Sequence, residues 1–256
     1  MTDLAAGRSG QTVRTEVDSG VLTVWLNRAA AAHARNQVMR DELASLWRSV
    51  VADRAVRAVV LTGAGDRFFC AGMDLKEASL PEAPVARRDR MQRSRDIELL
   101  ADLPQPTVAA INGYALGGGL EMALACDMRL MADGAQAGLP EVTRGLVPGG
   151  GGTQRLPRLV GYARACELVL TGRRLTAGEA VEWGIASRAL PLAMLLPAAI
   201  ELARGIAANP DPAVRYAKAL LRRSQQVPIQ AGVDAELDTV LTLLAQGLQP
   251  PANTSA

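Results

Sequence analysis

The chain has 256 residues, of which 49% are apolar and only 3% aromatic, and its formal net charge is +2. This length fits one large domain, or one domain with a small appendage, and the apolar share is enough for a sizeable core built from small aliphatic side chains. Acidic and basic residues are interleaved without a basic face or tail, so a nucleic-acid-binding protein is not expected.

The N-terminal part of the chain predicts a hairpin followed by a helix and a buried strand. The first ten residues are small and polar, and we expect them to be disordered. Val13–Val17 and Val21–Leu26 are β-type runs, and Asp18-Ser19-Gly20 between them is a hairpin turn signal. Apolar residues recur at helical spacing over Gln37–Ala52, and Val56–Leu61 has the composition of a buried strand.

The middle of the chain alternates between helix and strand patterns. A helical region is predicted near Arg87–Ala101, followed by a strand at Thr107–Ile111, a short helix from about Gly118 to Ala125, and a strand at Asp127–Met131. Such alternation favours parallel strands joined by right-handed crossovers, and therefore an α/β fold. The pattern alone fits both an open doubly wound sheet and a spiral.

The last part of the chain is predicted to contain one further capped helix and then, from Leu192 onward, helices only. Thr176 and Glu179 form a capping-box pattern that begins a helix ending near Gly184. The predicted helices after it are Leu192–Ala208, Pro212–Arg223 and Ala231–Ala245, and Gln249–Ala256 is predicted to be a frayed tail. We therefore expect a core over residues 1–191 and a helical region over residues 192–256.

The inventory of reactive side chains excludes several common kinds of active site. His33 is the only histidine, and its Ala-rich surroundings indicate a surface position rather than a catalytic one. No GxSxG, HExxH or phosphate-binding P-loop pattern occurs, and no metal site is expected. Acid–base chemistry must therefore depend on carboxylates, Tyr or Lys.

Two glycine-rich segments lie where the chain leaves a strand and enters a helix. They are FCAGMDL (69–75) and NGYALGGGLE (112–121). Glycines let a ligand approach the backbone closely, and two N–H groups that converge on one oxygen form an oxyanion hole. Each segment alone is more often only a turn.

Two glutamates lie in or near these segments. Glu121 falls in the first turn of the predicted helix, where the helix dipole favours an acidic residue in any case. Glu141 follows Pro140 in a loop, and either residue alone fits a solvated surface position. Burial in apolar surroundings would instead raise a carboxyl pKa towards the working pH.

In combination these segments closely resemble the enoyl-CoA hydratase/isomerase (crotonase) family. The matching stretches are FFCAGMDLKE (68–77), PTVAAINGYALGGGLEMALACD (106–127) and AGLPEVTRGLVPGGGGTQRLPRLVG (137–161), with weaker similarity over 170–187 and 210–221. The resemblance implies a spiral of repeated ββα units followed by a helical region used in assembly. It also implies a homotrimer, or a hexamer built from two trimers.

The resemblance assigns roles to five residues. The amides of Met73 and Gly118 would form the oxyanion hole, and Gly149 would place the attacking water through its backbone. Hydratases of the family carry both glutamates, so Glu121 would deprotonate the water that attacks C3 and Glu141 would manage the proton at C2. The implied activity is hydration of a 2-enoyl-coenzyme A thioester to a 3-hydroxyacyl-coenzyme A.

The resemblance also implies a coenzyme A site. Lys76, Arg28, Ala71 and Asp74 are its candidate residues, and Lys76 fits a solvated helix position equally well. The segment after Asn27-Arg28 departs from the family, because Ala29–Ala34 make it longer and it lacks proline. Coenzyme A would be part of the substrate, so no separate cofactor is expected.

Other activities stay open on the same fold. They are a Δ3,Δ2-enoyl-CoA isomerase, a hydrolase of coenzyme A thioesters, and a non-enzymatic homologue that binds RNA or a protein.

The basic run of Arg87, Arg88, Arg90, Arg93 and Arg95 is most simply a solvated helix face, and contact with an anionic ligand is the minority interpretation.

The expected partner is an acyl-CoA thioester, with neither a nucleic acid nor a membrane. Three isolated cysteines without a CxxC pair favour a reducing compartment. No secretion signal is recognised and no apolar run is long enough to span a bilayer, so a cytoplasmic location is expected.

Overall fold

The computed structural model describes residues 8–79 and 81–247. The strands are β1 Arg8–Ser9, β2 Val13–Asp18, β3 Val21–Leu26, β4 Ala58–Gly63, β5 Phe68–Cys70, β6 Thr107–Ile111, β7 Tyr114–Leu116, β8 Met128–Ala132, β9 Gln136–Gly138, β10 Arg174–Thr176 and β11 Arg188–Leu190. The helices are α1 Gln37–Ala52, α2 Leu75–Ala78, α3 Pro84–Ser94, α4 Asp96–Ala101, α5 Gly118–Ala125, α6 Gly152–Val160, α7 Tyr162–Thr171, α8 Ala177–Glu182, α9 Leu192–Ala207, α10 Asp211–Arg223 and α11 Ile229–Ala245. Short 3-10 helices occur at Ala29–Ala31 and Pro140–Arg144.

The strands form two sheets, and the strands from β4 to β9 alternate between them. The larger sheet has the order β1-β2-β3-β4-β6-β8-β11, and the smaller one has the order β10-β9-β7-β5. Each of β4, β6 and β8 lies in the larger sheet and is followed directly by a strand of the smaller sheet. This alternation is a spiral of ββα units, which confirms the predicted crotonase-type α/β fold and excludes the open doubly wound sheet.

Close backbone packing makes each change of sheet possible. A Cβ atom at Gly63, at the end of β4, would lie 2.2 Å from the Phe68 carbonyl oxygen, and one at Gly113 would lie 2.2 Å from the Arg67 carbonyl oxygen. The Asn112 side chain, directly after β6, links the end of β4 to the start of β5. Its Oδ1 accepts from Gly63 N–H at 3.0 Å, and its Nδ2 donates to the Phe68 carbonyl at 3.1 Å. These contacts set the starts of β5 and β7, which lead into the two glycine-rich segments.

The N-terminal hairpin forms as predicted. β2 pairs antiparallel with β3 around Ser19 and Gly20, which have φ values of 50° and 80°. Positive φ at both central residues gives the turn the twist that a two-residue hairpin needs. The expected disorder of the first ten residues is wrong for Arg8–Ser9, which pair with β2 as strand β1; residues 1–7 lie outside the described residues.

The predicted helical region near Arg87–Ala101 is two helices rather than one. Arg95, between α3 and α4, has a left-handed φ of 35° that breaks the helix. The break turns Asp96, the first residue of α4, into the interior, where only 3% of its surface is exposed. Charge pattern alone gives no sign of this break.

The C-terminal helices confirm the prediction to within a few residues. α9 packs on the larger sheet through Leu195, Ala199 and Ala203, whereas α11 has no buried residue. The division at residue 191 stays a prediction, and the predicted tail Gln249–Ala256 lies outside the described residues. The capping box of Thr176 and Glu179 begins α8, which is also confirmed.

No single helix within residues 8–79 and 81–247 is long and apolar enough to cross a membrane. The pair α9 and α10 reaches the required length and composition only together, and the two helices are bent by 109° relative to each other.

Candidate active site

The two glycine-rich segments meet at the carboxyl ends of β5 and β7. Gly72 has a φ of +95°, and a Cβ atom there would lie 2.7 Å from the Leu116 carbonyl oxygen and 3.1 Å from the Gly118 nitrogen. Neither the Met73 nor the Gly118 amide has a hydrogen-bond partner among the described residues. The structure therefore brings the two predicted oxyanion donors together with both N–H groups free.

Three successive glycines each make room for a different group. A Cβ atom at Gly117 would lie 3.0 Å from Glu141 Oε1, one at Gly118 would lie 2.7 Å from Arg35 Nη1, and one at Gly119 would lie 2.0 Å from the Cys70 carbonyl oxygen. The GGG sequence is thus required by a carboxylate, a guanidinium and a neighbouring backbone. A larger residue at any of the three would displace part of the site.

Glu121 lines the cavity, and two backbone hydrogen bonds hold its carboxylate in place. It lies in the first turn of α5, and 3% of its surface is exposed. Its Oε1 accepts hydrogen bonds from the N–H groups of Gly150 (2.7 Å) and Gly152 (2.9 Å). Among the described residues Oε2 accepts no hydrogen bond, so one carboxylate oxygen is fixed and the other is available to a reactant.

Glu141 lies in a different setting, in the 3-10 helix Pro140–Arg144. It is half-buried, and its Oε2 is buried without a hydrogen-bond partner in the described part of the chain. Burial raises the pKa of the Glu141 carboxyl, and the charge of Glu121 raises it further, although Arg144 opposes the shift. Glu141 therefore keeps a proton more readily than an ordinary glutamate does.

Both glutamates and both free amides line one cavity of about 700 Å³. Gly149 and Ala71 also line it, and Gly149 is exposed, so its predicted role in placing water stays a prediction. Further lining residues come from α3, from Arg95 directly after it and from the segment after Arg144: Arg87, Arg88, Met91, Gln92, Arg95, Leu146 and Val147. The basic run therefore faces the cavity with part of its residues rather than only solvent.

The candidate coenzyme A residues differ in their position relative to the cavity. Arg28 and Asp74 form an ion pair with Nη1–Oδ2 at 3.0 Å, and Asp74 Oδ1 also accepts from Lys76 N–H at 3.1 Å. Lys76 is exposed. Of the four candidates only Ala71 lines the cavity among the described residues. The pair of Arg28 and Asp74 ties the atypical segment 29–34 to the first oxyanion loop, and contact of these residues with coenzyme A stays a prediction.

The predicted surface position of His33 is wrong. Only 1% of its surface is exposed, its Nδ1 accepts from Arg28 N–H at 2.9 Å, and its Nε2 lies 2.9 Å from the Ala64 carbonyl oxygen. Burial lowers the pKa of His33, which keeps the ring neutral with the proton on Nε2. His33 thus holds the segment 29–34 against the turn after β4, and its composition gave no sign of this.

Several residues of the site were missed by the motifs. Gly150 and Gly152 hold Glu121, although only Gly149 of that loop was singled out. Arg35 and Asp96 form a buried ion pair on the cavity wall. The run of four glycines at 149–152 was the signal that could have identified Gly150 and Gly152. Nothing in the sequence connects Arg35 with Asp96.

No group of three or more His, Cys, Asp or Glu side chains within residues 8–79 and 81–247 is arranged to hold a metal ion.

Residues 16–247 match the family model described as enoyl-CoA hydratase/isomerase. Human enoyl-CoA hydratase domain-containing protein 2, mitochondrial, is 42% identical over 243 residues, which cover 92% of this chain and 82% of that protein. The 2,3-dehydroadipyl-CoA hydratase of Escherichia coli is 40% identical over 225 residues, covering 88% and 87%. The crystal structure of an enoyl-CoA hydratase from Bacillus anthracis is 41% identical, covers 92% of each chain and superimposes with a TM-score of 0.87.

Proposed function

The chain belongs to the enoyl-CoA hydratase/isomerase family, and we propose that it is a hydratase that adds water across the 2,3 double bond of a 2-enoyl-CoA thioester. The observation that carries this proposal is the presence of two carboxyl groups in different surroundings beside one pair of amides without hydrogen-bond partners among the described residues. An isomerase needs to move a proton, whereas a hydratase must both activate water and supply a proton. Two carboxyl groups with different surroundings suit the second task.

In the proposed reaction the Met73 and Gly118 amides bind the thioester oxygen. Negative charge develops on this oxygen as water adds to C3, so both hydrogen bonds strengthen in the transition state. One such donor typically lowers the barrier by about 3–4 kcal/mol. The position of Gly118 at the start of α5 adds the positive end of the helix dipole.

The two glutamates divide the proton transfers. Glu121 Oε2 accepts a proton from water while the water oxygen forms its bond to C3. The resulting enolate takes a proton at C2 from Glu141, because the raised pKa of Glu141 leaves more of this carboxyl protonated at neutral pH. The product is a 3-hydroxyacyl-CoA, and return of the proton from Glu121 to Glu141 through solvent restores the site.

The coenzyme A part of the substrate is proposed to lie against the first oxyanion loop. Ala71 lines the cavity there. Lys76 on α2 follows Ala71 closely in the sequence and is exposed, so its ammonium group is proposed to contact a phosphate of coenzyme A. Arg28 and Asp74 support this loop through their ion pair and remain candidates for direct contact. No separate cofactor is required by the proposed chemistry, and the reaction is proposed to take place in the cytoplasm.

We also propose that the chain assembles as a homotrimer, or as a hexamer of two trimers. The C-terminal helices support this, because they present large apolar side chains to the surface: Leu221, Ile229, Val233, Leu237, Val240, Leu241 and Leu244. Exposed apolar faces of this kind mark protein–protein interfaces. Light scattering coupled to size-exclusion chromatography measures the assembly state directly.

The test of the proposed reaction is product analysis with the wild-type enzyme. Crotonyl-CoA and a longer 2-enoyl-CoA are supplied, loss of the conjugated thioester absorbance is followed, and the product is identified by mass spectrometry. We expect a 3-hydroxyacyl-CoA. Conversion of 3-enoyl to 2-enoyl thioesters without any hydroxylated product would identify an isomerase instead, and release of free coenzyme A would identify a hydrolase.

A further inference from the structure

Arg35 and Asp96 form a buried ion pair on the wall of the active-site cavity. Arg35 Nη2 lies 2.6 Å from Asp96 Oδ1, and Arg35 Nε lies 3.1 Å from Asp96 Oδ2, so the contact is bidentate. Arg35 is 9% exposed and Asp96 is 3% exposed. Burying two charges is costly unless their geometry is well matched, and such a pair strongly orients both residues.

The backbone of Arg35 holds the loop that carries the first oxyanion donor. Arg35 N–H donates to the Gly72 carbonyl at 2.7 Å, and the Arg35 carbonyl accepts from Asp74 N–H at 3.2 Å. These two hydrogen bonds lie on either side of Met73. The direction of the Met73 N–H group therefore depends on the position of Arg35.

The side chain of Arg35 reaches the second donor. Its Nη1 lies 2.7 Å from the point that a Cβ atom of Gly118 would occupy, so the guanidinium fills the space left by the absent side chain. Among the described residues Nη1 donates no hydrogen bond, and Arg35 lines the cavity. One residue thus contacts the segments of both amide donors and leaves a positively charged N–H beside them.

Neighbouring charges keep this guanidinium in place. Burial by itself lowers the pKa of Arg35, but the charge of Asp96, and to a smaller extent that of Glu121, raises it. Arg40 lies on the other side, where its Nη1 donates to the Arg35 carbonyl at 3.2 Å and its Nη2 pairs with Glu77 at 3.1 Å. Arg35 is therefore fixed by the carboxylate of Asp96 and by its own backbone.

Asp96 in turn fixes Arg35 to α4. The residue after Asp96, Ile97, packs against the loop that holds Glu121, because a Cβ atom at Gly150 would lie 2.6 Å from Ile97 Cδ1. The ion pair consequently links the oxyanion hole to the wall behind Glu121. Loss of either partner would leave the other charge buried without compensation.

We propose that Arg35, anchored by Asp96, is a positioning residue for the oxyanion hole: it aligns the Met73 and Gly118 N–H groups and adds a fixed positive charge beside the thioester oxygen. A preorganised charge of this kind acts where negative charge develops, and therefore affects the transition state more than substrate binding. The inference rests on the proposed function, because the oxyanion hole belongs to that function.

The test is the absorbance of a bound chromophoric thioester, 4-(dimethylamino)cinnamoyl-CoA. Its absorbance moves to longer wavelength when hydrogen bonds and positive charge polarise the thioester carbonyl, so the shift reports on the oxyanion hole without any reaction. We expect a large shift with the wild-type enzyme, a small one with Arg35→Met and Asp96→Asn, and an intermediate one with Arg35→Lys. With crotonyl-CoA, kcat should fall by about 10–100-fold in Arg35→Met while KM changes by less than about threefold.

The matched control is the ion pair of Lys218 and Asp127, neither of which lines the cavity. Lys218 is 8% exposed, and its Nζ lies 2.6 Å from Asp127 Oδ2. Lys218→Met should lower the thermal midpoint as a buried-pair variant does, but leave the absorbance shift unchanged. Each variant is compared at a temperature at which circular dichroism shows it to be folded.

The outcomes separate this inference from the proposed function. If folded Arg35→Met and Asp96→Asn polarise the probe as strongly as the wild type, or if the wild type hydrates crotonyl-CoA without polarising the probe, the role of Arg35 is wrong and the hydratase proposal stands. If the wild type and variants follow the expected pattern of shifts but no hydroxylated product forms, the hydratase proposal fails and the role of Arg35 stands. If Lys218→Met also loses the shift, the effect is one of general stability and the inference is overturned.

Discussion

The two glutamates of the cavity carry the same side chain in different surroundings. Glu121 lies on helix α5 with one oxygen held by two backbone N–H groups, whereas Glu141 lies on a 3-10 helix with a buried oxygen that has no partner among the described residues. The first arrangement fixes a carboxylate in position for water. The second favours the protonated acid. Because the two side chains are identical, the difference in their surroundings is what assigns the proposed roles of base and acid.

Replacement of Glu121 tests the first half of this comparison. In Glu121→Gln the amide cannot accept the proton from water, and we expect kcat for crotonyl-CoA hydration to fall by about 1000-fold, within the range for a lost general base. Steady-state assays measure the change, and Glu201→Gln, an exposed glutamate on α9, is the control. A fall of less than about tenfold would contradict the role of Glu121 as the base.

Replacement of Glu141 tests the second half. Glu141→Gln removes the proton for C2, and we expect kcat to fall by about 100-fold. Incorporation of solvent deuterium at C2 of the product, measured by mass spectrometry, should slow in parallel with hydration. If deuterium enters C2 at the wild-type rate in this variant, another group supplies the proton.

Two glycine substitutions disturb the carboxyl groups separately. Gly150→Ala places a methyl group 2.7 Å from Glu121 Oε2, and Gly117→Ala places one 3.0 Å from Glu141 Oε1 at a φ of +53°. We expect about a 30-fold loss of kcat in the first and about a tenfold loss in the second, because displacement of a reacting group by a fraction of an ångström misaligns it. Gly134→Ala, where a Cβ atom meets nothing within 4 Å, should retain full activity and is the control. Equal losses in Gly134→Ala would show that the effects are not local.

The raised pKa of Glu141 also predicts a dependence of stability on pH. Because the folded protein binds this proton more tightly than the unfolded chain, the contribution of Glu141 to the free energy of unfolding is fully present below the ordinary glutamate pKa, about 4.3. It is lost as the pH rises through the raised pKa of the folded state. Glu141→Gln should therefore have a higher thermal midpoint than the wild type at pH 8 but not at pH 4. We expect the increase at pH 8 to stay below about 4 °C, the shift that about 1 kcal/mol of unfolding free energy produces in a domain of this size. A wild type that is more stable than Glu141→Gln at pH 8 would contradict burial as the cause.

Sequence patterns predicted the longer elements well. Helix α1, strand β6 and helix α5 have the predicted bounds, since each is either long enough to show its period or bounded by turn residues. The three-residue strands β5, β7 and β9 were missed because so short a run shows no periodicity. They pair only with one another or with β10, in a sheet that exists only after the spiral has formed.

The residues of the site also differ in whether a local pattern predicts them. Glu121, Glu141, Met73 and Gly118 were found because each lies in a short contiguous motif. His33 was misplaced, and the pair of Arg35 and Asp96 was missed, because their partners are distant along the chain: 31 positions separate His33 from Ala64, and 61 separate Arg35 from Asp96.

The sequence by itself thus determined the family, the α/β fold and the residues that carry the proposed chemistry, because local motifs encode the strand-to-helix turns that present free amides and a helix-borne acid. Only the tertiary structure decided the burial, the hydrogen-bond partners and the neighbouring charges of each of these groups. The burial of Glu141 Oε2, the glycine amides that hold Glu121 and the guanidinium behind Gly118 all arise from contacts between distant segments. Their energies depend on distance and desolvation, which no local pattern specifies.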